Sequence, residues 1–135
     1  MKPHHQQVEE RVEGFQRTPL SDQCYLASIR LRRGQSSTFH HHTVTRDTFY
    51  VVKGRLTVFI EVGDGASPEK AYHALCATPI ERQAGGQRHE VRLLPGEVLV
   101  IEPQVVHCAA NLNDELCEFL CIEGVGAYDF IPQHP

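Results

Sequence analysis

Beyond its first two dozen residues the chain is cut at short intervals by turn formers, and between the cuts apolar side chains alternate with polar ones. A strand repeats every two residues and a helix every 3.6, so this patterning selects strands over most of the length. Ile29 and Leu31 alternate with Arg30 and Arg32, which marks a strand with one polar face, and Gly34 ends it in a turn. Strand formers return at 49–52, at 56–62 beyond Lys53-Gly54, at 90–94, at 98–101 beyond Pro95-Gly96, at 105–109 and at 116–122. That makes about eight to ten short strands, the signature of an all-β sandwich or barrel.

At 135 residues the chain fits one domain with a real hydrophobic core and no need of staples. Residues 1–20 are polar and read as an N-terminal arm, with a short helix or plain arm over 8–15. The folded domain is expected over 21–135. Glycines and prolines punctuate 63–89, which reads as a long loop holding at most a short strand or helix, laid over a pocket mouth or a sheet edge. His73 and His89 belong to that loop and are expected at the solvated surface, as are His4 and His5 in the arm. The tail from 124 onward carries Tyr128, Phe130 and Ile131, enough to dock on the body.

Composition removes several function classes. The net charge of −4 argues against a nucleic-acid partner, because phosphate contacts need a basic face. No apolar run approaches the ~18 residues of a membrane span, and the N-terminus lacks the apolar core of a signal peptide, so the expected location is cytoplasmic. Five cysteines, an odd number without a CxxC pair, read as buried free thiols and not as a disulfide framework or zinc knuckle.

Two stretches carry chemistry. The first runs from Gly34 to Gly54 and holds His40-His41-His42 and Asp47. Imidazole and carboxylate are ligands for a borderline or hard divalent metal. In an extended chain His40 and His42 face one way and His41 the other, so His41 is not expected to ligate. A turn across 43–46 returns Asp47 beside them on a neighbouring strand. The second stretch, Pro95 to Asn111, is a glycine turn, an apolar strand, a proline corner and then His107. Asn111 lies four residues on, expected on the same face, where it suits a hydrogen bond to a ligand histidine or to substrate.

Together the two stretches resemble the cupin superfamily. Gly34, five residues, His40-His41-His42, four residues, Asp47, six residues and Gly54 match its first motif, and Gly96, Pro103, His107 and Asn111 its second. Two departures stand out: Asp47 replaces the usual glutamate, and the corner reads Glu102-Pro103-Gln104 where the family often has Pro-x-Gly. The resemblance implies a jelly-roll β-barrel and one divalent transition metal (Fe, Mn, Ni or Zn) on His40, His42, Asp47 and His107. It also implies a small-molecule ligand and a homodimer. A finer similarity, to mannose-6-phosphate-isomerase-type cupins, implies a sugar-like substrate, an isomerase or epimerase, and Glu102 or Glu118 as the base. The alternatives are an iron-dependent dioxygenase, which Asp47 would leave with three histidines if it does not ligate, and a non-catalytic ligand-binding module. Arg32, in the run with Arg30 and Arg33, is either a solvated strand end or a partner for a carboxylate or phosphate of the ligand.

Overall fold

The computed structural model describes residues 15–63, 67–75, 81–85 and 87–133. Its strands in chain order are β1 (Gln16–Ser21), β2 (Cys24–Leu31), β3 (His40–His41), β4 (Arg46–Lys53), β5 (Leu56–Glu61), β6 (Tyr72–Ala74), β7 (Glu81–Gly85), β8 (Arg88–Leu93), β9 (Val98–Ile101), β10 (His107–Ala110), β11 (Cys117–Gly124) and β12 (Ile131–Pro132). They form two antiparallel sheets, ordered β1-β2-β11-β4-β9-β6 and β12-β3-β10-β5-β8-β7. The inward faces of the two sheets close on one apolar core, in which Leu31, Val51, Leu56, Ile60, Leu99 and Phe119 are sealed from solvent. The alternation seen in sequence is what builds it. Along β11 every second side chain, from Cys117 through Phe119 and Cys121 to Glu123, is buried.

Three sequence expectations change. Residues 16–21, grouped with the arm on sequence, are the edge strand β1, paired with β2. The rest of the arm lies outside the described residues apart from Phe15. The 63–89 segment is not a long loop: one turn of 3-10 helix (Pro68–Lys70) precedes β6, and β7 and the start of β8 follow. These elements are short and polar, so they leave no period to read. His89 is buried and not solvated, because it takes an inward position on β8, where its Nδ1 lies 2.6 Å from the Tyr72 hydroxyl. His73 is exposed, as expected.

Gly54 carries the chain from β4 in one sheet to β5 in the other, with φ at +80°. A Cβ there would also sit 2.4 Å from the Leu116 carbonyl oxygen, which is fixed backbone. Gly54→Ala therefore combines a left-handed residue with a clash, and is expected to cost about 3 kcal/mol in urea denaturation. An unchanged midpoint would show that the turn relaxes freely.

Candidate metal centre

The four residues singled out by spacing meet inside one end of the barrel. One ligand atom each from His40, His42, Asp47 and His107 lies within 4.8 Å of the others, and all four side chains are buried. The pairing explains how. His40 on β3 is the register partner of His107 on β10. His42 follows β3, two residues on, facing the same way. Asp47, expected on a neighbouring strand, instead comes from the facing sheet through β4, so the cluster bridges the two sheets.

Backbone carbonyls fix the rings. His40 Nδ1 lies 2.7 Å from Thr38 O, His42 Nδ1 2.6 Å from Asp129 O, and His107 Nδ1 2.8 Å from Val105 O. A carbonyl only accepts, so each Nδ1 carries a proton and donates, and in the neutral ring Nε2 keeps the lone pair. His42 Nε2 and His107 Nε2 both stand 2.9 Å from Asp47 Oδ2. Three electron-rich atoms at that range require a cation or a proton between them. Asp47 Oδ1, also buried, has no hydrogen-bond partner. The four ligand atoms lie close enough together that His40, His42, Asp47 and His107 would hold one divalent cation. The donor set therefore suits a divalent cation.

Without one, charge is shared unequally. Burial favours neutral His42, but the Asp47 carboxylate, its hydrogen bond and the Asp129 carbonyl outweigh it and raise the pKa to about 9. Burial would raise Asp47, yet His42 and the hydrogen bonds from His107 and His42 hold it well below the carboxylate range. His40 is pushed well below its usual value, first by burial and then by His107 and His42. It stays neutral, its lone pair ready.

The C-terminal segment completes the site. Phe130 stacks on the His40 ring with centroids 4.1 Å apart, and Tyr128 lies 5.3 Å from the His42 ring. A cavity of about 50 Å³ opens beside His40 and Asp47, lined mainly by apolar side chains such as Ile29, Phe49, Phe119 and Phe130.

Four other sequence candidates lie elsewhere. Asn111 is wholly buried, but its amide donates to Leu31 O at 2.9 Å and Glu115 O at 2.7 Å, and its oxygen accepts from Asn113 N at 2.9 Å. Both N–H donors are committed, so it staples the 111–115 turn to β2 instead of serving the metal cluster. Glu102 lies on the surface side of the barrel, 2.8 Å from Arg46, and Glu118 pairs with Arg30. Neither borders the cavity. Arg32 is exposed after β2, its backbone N–H bonded to the Gln35 side chain at 2.7 Å.

The carboxylate that does face the interior was missed on sequence. Glu123 is 4% exposed, pairs in register with Asp47 and lies 3.0 Å from Arg17 Nε. Its only signal was its place in the β11 alternation, two residues beyond Cys121 and four beyond Phe119.

No protein-family model matches the chain, and no curated protein does. Solved structures do match in shape. A tryptophan-to-tyrosine variant of Bacillus subtilis oxalate decarboxylase superposes with a TM-score of 0.65 at 17% identity, over 93% of this chain and 29% of that one. A structure of the same decarboxylase, concerned with its Mn(II) centres, gives 0.61 at 18% over 84% and 24%. Peruvianin-I, a cysteine peptidase from Thevetia peruviana latex, gives 0.60 at 14% over 82% and 56%. The chain thus spans about a quarter of the decarboxylase chains and just over half of the peptidase. Identities this low carry the fold and nothing finer, and the neighbours' different chemistries make the same point. Two facing antiparallel sheets, this order of strands and these neighbours together show that the chain has the cupin-type jelly-roll β-barrel fold.

Proposed function

We propose that this protein is a metal-dependent cupin that holds one divalent transition metal on His40, His42, Asp47 and His107 and acts on a small oxygenated molecule in the adjoining cavity. The observation that carries the reading is the set of three locked tautomers, which leaves imidazole lone pairs and a carboxylate facing one another in a buried site. A bound metal would supply Lewis acidity, polarising a carbonyl or hydroxyl of the ligand. The protein's own part is to orient that ligand against the apolar wall of Phe49, Phe119 and Phe130 and to limit water there.

Within this reading an isomerase or epimerase is one reaction class. The apolar wall favours the second, an iron-dependent oxygenase, because polyol hydroxyls gain nothing from it. A non-catalytic binding module would keep its ligand affinity after metal is removed. Among the described strands β1 stands at the edge of its sheet, a position through which two copies can pair, which supports the homodimer as part of the proposal. Among the described residues no helix is long and apolar enough to cross a membrane.

Elemental analysis of protein purified without chelator or nickel resin tests the reading. About one equivalent of Fe, Mn, Ni or Zn supports it; none, even after reconstitution, overturns it. Iron would favour oxygenation, and zinc or manganese the carbonyl chemistry of an isomerase.

A proton count gives an independent check. With its pKa near 9, His42 carries a proton at pH 7 in the metal-free protein, whereas Asp47 is already ionised and His40 already neutral. A metal ion must displace the His42 proton. Calorimetry in buffers of different ionisation enthalpy is expected to show about one proton released per metal at pH 7. Affinity should rise about tenfold per pH unit up to about pH 9 and then level off. Affinity independent of pH over this range would contradict the assignment of His42.

A further inference from the structure

We propose that the outer face of the sheet β1-β2-β11-β4-β9-β6 is an interface on which a second copy of this chain packs face to face. The inference deepens the homodimer part of the reading above by naming its surface, and it needs no metal.

Register makes the patch continuous. Leu26 on β2 pairs with Ile122 on β11, and Leu120 on β11 pairs with Tyr50 on β4, which pairs in turn with Val98 on β9. Their chain neighbours Ala27, Cys121, Phe49 and Leu99 enter the core, so by alternation these five side chains point outward. Val52 on β4 lies on the same side. Tyr50 is 44% exposed, Val52 50% and Ile122 42%. Exposed apolar side chains scattered singly are ordinary, but a patch continuous over four strands marks a contact surface. The other sheet shows a solvated face in the same molecule. Its outward positions carry the ion pairs Arg88–Glu61 at 2.7 Å and Arg92–Glu90 at 2.5 Å.

Size, charge and shape favour a second copy as the occupant. Six strands about 4.8 Å apart, the longest of eight residues at about 3.4 Å each, make a face of roughly 700 Å². A standard stable interface takes about 800 Å² from each partner. Charges at the two ends of the face cancel: Arg30 pairs with Glu118 at 3.2 Å at one end, and Arg46 with Glu102 at 2.8 Å at the other. The chain as a whole carries −4, so two copies repel, but across this face they meet without a net like charge at the contact. The same balance gives no pull toward an anionic lipid surface, which needs a basic patch. Residues 1–14 bring little apolar surface beyond Met1, Val8 and Val12, too little to cover the face. Sheet faces pack on one another about 10 Å apart with side chains interdigitating, and a two-fold axis sets the same patch on both sides.

Sedimentation velocity on the full-length protein across the micromolar range tests this. Wild type is expected to sediment at twice its 15.2 kDa chain mass. Tyr50→Lys and Ile122→Lys should each weaken the dimer about a hundredfold or more, because each buries an unpaired charge at the contact. Leu112→Lys, at a side chain 56% exposed on the side of the other sheet beside Arg88, should leave it unchanged. Circular dichroism checks that each variant folds. Nitration of Tyr50 in wild type, read by mass spectrometry, needs no variant and should slow as rising concentration drives dimerisation. A wild type that stays monomeric overturns the inference. So does a dimer that both face variants leave intact, with Tyr50 nitrated at one rate throughout. Copies would then pair elsewhere, as along edge strand β1, and the homodimer would stand without this face. Equal loss of the dimer in Leu112→Lys also overturns it, since the effect would then belong to no one surface.

Discussion

A His40→Ala/His107→Ala variant is expected to fold and to retain less than about a tenth of the wild-type metal. The two rings are register partners on β3 and β10, with centroids 4.5 Å apart, so the pair removes one side of the cluster. What remains, His42 and Asp47, already forms a hydrogen-bonded ion pair and does not need a metal. His41→Ala is the matched control. Its ring points away from the cluster, next to Gln133, and its metal content should equal wild type. Circular dichroism and a thermal melt keep the comparison fair, because losing the His40 ring also leaves Phe130 without its stacking partner. Full metal content in the double variant would sink the proposed site.

The second large effect is on stability alone. Asn111→Ala strips the buried Leu31 carbonyl of its partner, and with it the part-buried Glu115 carbonyl and Asn113 N–H. A buried polar group left unpaired costs about 1–3 kcal/mol and the two part-buried bonds add less, so a loss of about 2–4 kcal/mol in urea denaturation is expected. Metal content per folded molecule should stay at the wild-type value. If instead metal falls while stability holds, Asn111 serves the cluster after all, as its spacing from His107 suggested.

That contrast shows where sequence reading ended. His40, His42, Asp47 and His107 could be gathered because their spacing from Gly34, Gly54, Gly96 and Pro103 resembles the two cupin motifs. Spacing also placed Asn111 on the face of His107, but β10 ends at Ala110 and the chain then turns, so the alternation does not extend to it. The sheet that would carry Asp47 was misjudged for a related reason. A four-residue connection across 43–46 is compatible with a hairpin or with a crossing between sheets, and composition does not distinguish them. Strands β6 and β7 were invisible because they run only three and five residues at sheet edges, too short for a period to show. Glu123 hid inside an ordinary alternating strand, and its partner Arg17 lay in a segment that read as an arm. A part-buried ion pair between β1 and β11 joins residues 106 positions apart, and no local signal announces such a pair.

The contribution of residues 128–131 has a consequence in time. Asp129 O holds the His42 ring and Phe130 covers the His40 ring, yet these residues leave the ribosome after every other part of the site. Folding during synthesis proceeds from the N-terminus, so the barrel can begin to close while two of its three imidazoles still lack their supports. A metal held here would find both rings supported only once residues 128–131 have come to rest against the barrel.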